Sequence, residues 1–238
     1  AVEWFLDVAA RPEKADGYPV FVVDDPDILG LFSIELDGRK YFSFEDLKPY
    51  LDDLQKQAEH AAHVDSAART RFQTAVVNFQ DRLVTYQRLR NTLQVAGTED
   101  FTAELAAYRK AVPAGVKAVK GHQSSARFDS KALESLNFYF ERYRFLSGAG
   151  YFAPLPPAVG EKDEDWTPMG DGLLAGLHGE PLPAAVDLYA RILGAWRTGD
   201  AAGFDAAVAD CSARLSAGVP RAVRQSRAEM VFNRVEPF

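Results

Sequence analysis

Apolar residues between positions 44 and 94 recur every three or four residues, and this spacing constrains the fold more than any other feature of the chain. They are Phe44, Leu47, Leu51 and Leu54 in the first part, and Phe72, Val76, Phe79, Leu83, Tyr86, Leu89 and Leu93 in the second. Side chains at this spacing share one face of an α-helix, whereas a strand requires alternation. The pattern predicts a long helical hairpin over residues 44–94.

The segment 19–44 has a different pattern, with β-branched and aromatic residues between prolines and turn residues. Asp37 and Gly38 separate two apolar runs, and an Asp-Gly pair suits the positive φ angles of a two-residue hairpin turn. Ser43 then begins a helix, because Asp46 three residues later can complete a capping box. We therefore predict a mainly α fold of helical bundles or hairpins, with a small β-hairpin element near the N-terminus.

Further helical segments follow the hairpin. The stretch after Thr98 predicts a shorter helix that Pro113 and Gly115 end, and residues 116–129 are polar and irregular. An aromatic-rich helix then runs from about Ser130 to Leu146.

The predicted organisation has three parts. Residues 1–152 form a helical domain with the small β element (19–44) and the long hairpin (44–94). Residues 153–182 are a strap rich in proline and glycine, and residues 183–238 are C-terminal helices that lead to a membrane segment. A single domain that comprises all three parts is the alternative.

Charge and cysteine content exclude several classes of protein. The net charge is −7 with a pI near 5.2, which argues against a nucleic-acid partner and gives no support for docking on anionic lipid headgroups. The single cysteine, Cys211, allows neither an internal disulfide nor a multi-cysteine metal site.

The titratable side chains do not form a recognisable catalytic or metal site. His60 and His63 share a helix face, but the face is charged and reads as solvated. His122 lies in a polar loop and His178 lies just past a helix, where structural roles are ordinary. Cys211 falls on the apolar face of its helix and reads as a small buried hydrophobe. We predict no catalytic residue, no metal and no tight haem binding by this segment, and leave enzymatic activity open.

The stretch "FYFERYRF" at 138–145 is the most unusual of the chain, and it allows two interpretations. In the first, Phe138, Phe145 and part of Tyr139 or Phe140 form core while Arg142 and Arg144 face outward. In the second, the stretch contributes to a partner surface, because exposed aromatic residues with arginine suit binding hot spots. The candidate partner surface consists of Tyr139, Arg142, Tyr143 and Tyr151.

The last third of the chain resembles a known family. The segments "DWTPMGDGLL", "LYARILGAWRTGDAAGFDAAVADCSARL" and "AEMVFNRVEPF" are similar to the extracytoplasmic insert of fused system II cytochrome c biogenesis proteins of bacteria. The resemblance covers roughly residues 164–238. The matching residues are Trp166, Gly199, Asp200, Phe204, Glu229, Asn233, Pro237 and Phe238.

The resemblance implies that the chain lies on the extracytoplasmic (periplasmic) face of a bacterial inner membrane. Segments outside these 238 residues would anchor it in that membrane. It implies haem for the full-length family, whose haem-handling residues belong to membrane segments and have no counterpart in this sequence. The implied partner is apocytochrome c or another subunit of the assembly complex. The alternative function is a helical adaptor of tetratricopeptide-like type, which the Gly199-Asp200 turn between two helices favours.

Overall fold

The computed structural model describes residues 2–23, 25–32, 38–124, 127–157 and 165–235. Within these ranges the protein is mainly α with one small antiparallel sheet, which confirms the predicted fold class. Internal contacts divide the chain into two units, Ala1–Arg90 (unit 1) and Asn91–Phe238 (unit 2).

Unit 1 surrounds a core of aromatic and aliphatic side chains. Its elements are α1 (Val2–Ala10), α2 (Pro12–Ala15), β1 (Phe21–Val22), α3 (Pro26–Leu31), β2 (Tyr41–Phe42), α4 (Phe44–Leu47), α5 (Leu51–Ala62) and α6 (Arg71–Arg90). Phe21 lies at the centre of an aromatic cluster, with its ring 5.3 Å from Tyr86 and 6.3 Å from Phe79. Helices α5 and α6 pack against each other and contribute Leu54, Val76 and Leu83 to the same core.

The small sheet pairs two segments that are distant in sequence. Phe21 lies opposite Phe42 and Val22 opposite Tyr41, in antiparallel register. The sequence pattern predicts a different partner for β2, the apolar run that begins at Leu31. This prediction is wrong for the first residue of the run, because Leu31 is the last residue of helix α3. The Asp25 side chain caps that helix by accepting a hydrogen bond from the Asp27 N–H. Of the predicted turn, Gly38 has a φ of +87°, whereas Asp37 and residues 33–36 lie outside the described residues.

The predicted helix start at Ser43 has the geometry of a capping box. The Ser43 hydroxyl accepts a hydrogen bond from the Asp46 N–H at 3.0 Å, and the Asp46 carboxylate accepts one from the Ser43 N–H at 2.9 Å. The second bond is the main reason that the pKa of Asp46 is lowered. The helix does not continue directly into α5: a 3₁₀ turn at Lys48–Tyr50 interrupts it, because Pro49 lacks an N–H and restricts the residue before it.

Unit 2 is built from helix pairs. Its elements are α7 (Phe101–Gln123), α8 (Ser130–Ala149), α9 (Met169–Ala175), α10 (Ala184–Thr198), α11 (Ala201–Gly218) and α12 (Pro220–Val235). Helix α7 packs along α8, α8 along α9, and α10 along α11. None of the described helices is both long and apolar enough to cross a membrane.

Helix α7 is longer than the sequence pattern indicates. We expected Pro113 and Gly115 to end it, but it continues through both residues to Gln123. Packing overrides the local signal here: a Cβ on Gly115 would lie 2.6 Å from the Cβ of Leu136, so the missing side chain lets α7 approach α8 closely. The segment 116–123, which we expected to be irregular, is therefore helical.

The strap between α8 and α9 is tied down at both of its described ends. Leu155 and Thr167 form an antiparallel bridge with two backbone hydrogen bonds, and Leu155 is buried. The Tyr189 hydroxyl of α10 donates a hydrogen bond to the Pro154 carbonyl at 3.0 Å. Gly170 then brings α9 against the backbone of α8, where a Cβ would collide with the Ser147 N–H and the Tyr143 carbonyl.

Helices α10 and α11 are joined by the tight turn that the sequence motif suggests. Gly199 ends α10 in the left-handed conformation with a φ of +74°, which favours glycine. The Asp200 side chain caps α11 by accepting a hydrogen bond from the Gly203 N–H. Across the pair, Trp196 and Phe204 lie with ring centroids 5.4 Å apart.

Candidate functional site

Helix α8 has aromatic residues on two opposite faces. Its buried face consists of Leu136, Tyr143 and Leu146. Phe138 and Phe145 lie seven residues apart on the opposite face, where 59% and 53% of each residue is exposed. At a rise of 1.5 Å per residue they are about 10.5 Å apart along the helix. We call this pair the phenylalanine stripe.

Tyr143, one of the predicted surface residues, lies in the interior. It is completely buried, and its ring packs edge-on against Tyr108 with the centroids 4.9 Å apart. Its hydroxyl donates a hydrogen bond to the Glu104 carboxylate at 3.2 Å. Burial, and then the Glu104 charge, raise the pKa of Tyr143 above its usual value. Tyr143 therefore cannot contact a partner without local unfolding.

Arg142 forms an ion pair within the protein, and this contact uses most of its hydrogen-bonding groups. Its guanidinium donates to both carboxylate oxygens of Glu104, at 2.9 and 2.8 Å, and also to the Thr98 hydroxyl. The side chain is only 21% exposed. The guanidinium carbon lies 5.9 Å from the Phe138 ring centroid, so Arg142 supports the phenylalanine stripe from its side. This charge-assisted, two-pronged geometry is the strong form of an arginine–carboxylate contact.

The two remaining residues of the predicted surface, Tyr139 and Tyr151, differ in their exposure to solvent. Tyr139 is half-buried between the rings of Phe138 and Tyr108, and burial raises its pKa. Tyr151 is half exposed, and its N–H donates a hydrogen bond to the Thr92 hydroxyl at 3.0 Å. Of the four predicted residues, Tyr151 is thus the one most accessible to a partner.

The first interpretation of 138–145 is wrong: Phe138 and Phe145 are exposed, whereas Arg142, which it placed outward, is mostly buried. The candidate partner surface did not include the two phenylalanines. The signal was available in the leucines: Leu136 and Leu146 are ten residues apart on one helix face, and that face includes residue 143 rather than residues 138 and 145. Polar side chains border the stripe, since Glu134 and Glu141 are exposed on the same side. The stripe is an exposed apolar surface with a polar edge, in which Glu141 is paired with Arg144.

Histidine and cysteine side chains add no reactive cluster in the ranges that the structure describes. His60, His63, His122 and His178 are all exposed. The described residues hold no group of three or more histidine, cysteine, aspartate or glutamate side chains that could bind a metal ion. Cys211 is half-buried on α11, and burial raises the pKa of its thiol, so the reactive thiolate is disfavoured.

The exposed phenylalanines of α8 are thus the candidate binding surface in the described part of the chain. In comparisons with known protein families, curated proteins and solved structures, nothing matches this chain. The interpretation of its function therefore depends on its own residues.

Proposed function

We propose that this chain is the extracytoplasmic domain of a membrane-bound cytochrome c assembly protein and that it acts there as a docking surface. Two observations support the proposal. The segment 164–238 resembles that family, and unit 2 exposes two phenylalanines on the face of α8 that points away from its core. The phenylalanine stripe is the observation that carries the docking role.

Three of the residues that carry the resemblance lie in the α10–α11 pair. Gly199 and Asp200 make the turn, and Phe204 contacts Trp196 across the pair. These roles are structural, which agrees with a motif that marks a fold element rather than a reacting group. We carry over no haem-binding residue to this segment, and haem is proposed for the full-length family alone.

The proposed partner is an unfolded apocytochrome segment that contains Cys-x-x-Cys-His, or a partner subunit. An extended peptide rises about 3.4 Å per residue, so the spacing of Phe138 and Phe145 corresponds to roughly three residues of peptide. Aromatic anchors give such contacts most of their free energy.

The test is the double substitution Phe138→Ser/Phe145→Ser, with binding of a Cys-x-x-Cys-His peptide measured by fluorescence anisotropy. At about 1–2 kcal/mol per anchor, the Kd should rise roughly thirtyfold or more. Tyr41→Ser is the matched control, because Tyr41 is also 59% exposed but belongs to unit 1. Tyr151→Ser tests the other predicted aromatic. Unchanged peptide binding in a folded double variant would reject the docking role.

The α10–α11 helix pair also favours the second candidate, a helical adaptor of tetratricopeptide-like type. Such repeats bury a continuous face only when about three units stack. The two candidates differ in where the protein works. Fractionation of cells that express the full-length protein separates them, because an assembly protein sediments with membranes and an adaptor stays in the supernatant.

A further inference from the structure

Unit 2 contains an apolar groove that the docking proposal does not use. It lies between α10, α11 and α12, with Trp166 of the strap at one wall, and has a volume of about 530 Å³. Ile192, Val208, Leu215 and Val223 supply most of the apolar lining. The volume falls within the roughly 300–1,000 Å³ that is typical of small-molecule sites.

A few polar side chains lie in the same groove. Ser212, Ser226 and Arg227 line it together with the apolar residues. Arg227 is exposed and makes neither a hydrogen bond nor an ion pair with the described part of the chain. A mostly apolar pocket with a small number of converging polar groups is the usual composition of a ligand site.

The helix that supplies Arg227 is strongly basic. Arg221 and Arg224 precede Arg227 on α12, and the single acidic residue of that helix, Glu229, accepts a hydrogen bond from Gln225. The local charge therefore favours an anion, although the chain as a whole is acidic. The protonated thiol of Cys211 adds a further uncharged wall.

We propose that this groove binds a single-chain apolar carboxylate of the fatty-acid class. The hydrocarbon chain occupies the apolar floor formed by Ile192, Val208 and Leu215, and the carboxylate accepts hydrogen bonds from Arg227 and a neighbouring serine. Charge complementarity selects this ligand over an alcohol or an amine of the same length.

Dodecanoate, below its micelle concentration, is the probe, and Cys211 is the reporter. Cys211 is the single cysteine of the chain and lines the groove, so the rate of its modification by a maleimide measures occupancy without any substitution. Dodecanoate should slow this reaction in a saturable way. Calorimetry should give the same Kd, and decanoate, which is two methylenes shorter, should bind roughly fifteenfold more weakly, because each buried methylene strengthens binding about fourfold.

Two arginine variants on one helix test the carboxylate contact. Arg227→Gln should raise the Kd about fivefold. Arg221→Gln removes the same charge from α12 at a position that does not line the groove, and should leave the Kd unchanged. Ser226→Phe places a ring in the groove and should abolish both calorimetric binding and protection of Cys211.

Three results would overturn the proposal. The first is the absence of saturable binding of dodecanoate. The second is equal affinity for dodecanol, or equal loss in the two arginine variants, because either would show that no carboxylate contact exists. The third is protection of Cys211 that depends on protein concentration and not on dodecanoate, which would make the groove an interface between copies of this chain.

Discussion

The two units use phenylalanine in opposite ways. In the described part of unit 1, five phenylalanines are buried, two are partly buried and none is exposed; the buried ones are Phe21, Phe32, Phe42, Phe44 and Phe79. In the described part of unit 2, Phe101 is buried and Phe204 is half-buried, whereas the exposed phenylalanines are Phe128, Phe138, Phe140, Phe145, Phe152 and Phe232. The same residue type thus builds a core in one unit and a surface in the other.

The difference shows whether the hydrophobic free energy of each phenylalanine stabilises the fold or remains available for binding. A buried phenylalanine has already lost its contact with water, so it stabilises the folded unit. An exposed phenylalanine retains most of that contact, and its burial remains available to a partner. Unit 1 therefore resembles a closed core, whereas unit 2 combines a core with surfaces that can still bury apolar area.

The largest expected effect is the contrast between Phe42 and Phe138. Phe42→Ala removes a fully buried ring and should lower the free energy of unfolding by about 3–5 kcal/mol. Phe138→Ala removes a mostly exposed ring and should change it by less than about 0.5 kcal/mol. Urea denaturation followed by circular dichroism measures both. Equal losses in the two variants would contradict the contrast between a core and a surface.

A second comparison concerns two ion pairs of α8. Glu104→Ala removes the partner of Arg142 and of the Tyr143 hydroxyl, and should cost about 2–3 kcal/mol because a mostly buried guanidinium is left without its carboxylate. Glu141→Ala breaks the exposed pair with Arg144 and should cost less than about 0.5 kcal/mol. Urea midpoints of both variants test this. An unchanged midpoint in the Glu104 variant would show that the contacts of Glu104 with Arg142 and Tyr143 do not stabilise unit 2.

A third comparison concerns two glycines that differ in the space around them. Gly170→Ala forces a Cβ against the backbone of α8 and should destabilise the protein by about 1–3 kcal/mol. Gly148→Ala lies on α8 with no atom within 4 Å of the added Cβ, and should stabilise it by up to about 1 kcal/mol through helix propensity. Thermal unfolding should therefore shift in opposite directions, and a shift of the same sign would place the α8–α9 contact in doubt.

The smallest expected effect is a loss of stability at high pH. Burial raises the pKa of Tyr108 to about 12, whereas an unfolded tyrosine titrates near 10. The neutral form is favoured in the folded state, so this contribution is complete below pH 10 and is lost as the pH rises toward 12. Between pH 9 and pH 11, Tyr108 should account for about 1 kcal/mol of the decrease.

The check on this pH effect is Tyr108→Phe. The variant also lacks the hydrogen bond from the Tyr108 hydroxyl to the Leu173 carbonyl, so its stability is lower at every pH. The informative quantity is the difference between the urea midpoints at pH 9 and pH 11. That difference should be smaller in the variant than in the unsubstituted protein, and an unchanged difference would assign the pH effect to other tyrosines.

Local signals in the sequence predicted the helical class and the capping box of Ser43, because both depend on residues within one or two turns. The pairing of Phe21 with Phe42 could not be predicted in the same way, since it joins segments 21 residues apart across helix α3. The continuation of α7 past Pro113 likewise depends on Leu136 of another helix.

The candidate site was harder to predict for a related reason. Aromatic residues occupy most positions from 138 to 145, so the sequence lacks the contrast between apolar and polar positions that defines a helix face. Glu104 of α7 provides that contrast in the folded protein, because it draws Arg142 and the Tyr143 hydroxyl toward itself. The apolar groove is formed by three helices and by Trp166 of the strap, so no periodic pattern within one segment of the sequence could predict it.

The contact between Arg142 and Glu104 has a consequence for the rotation of α8 about its own axis. A helix turned by half a revolution would bury Phe138 and Phe145, but it would expose Leu136, Leu146 and Tyr143 to water. Each residue advances the helix by about 100°, so any such turn removes the two-pronged ion pair. The ion pair thus acts as an angular lock that adds to the burial of the two leucines, and together they hold the two phenylalanines outward.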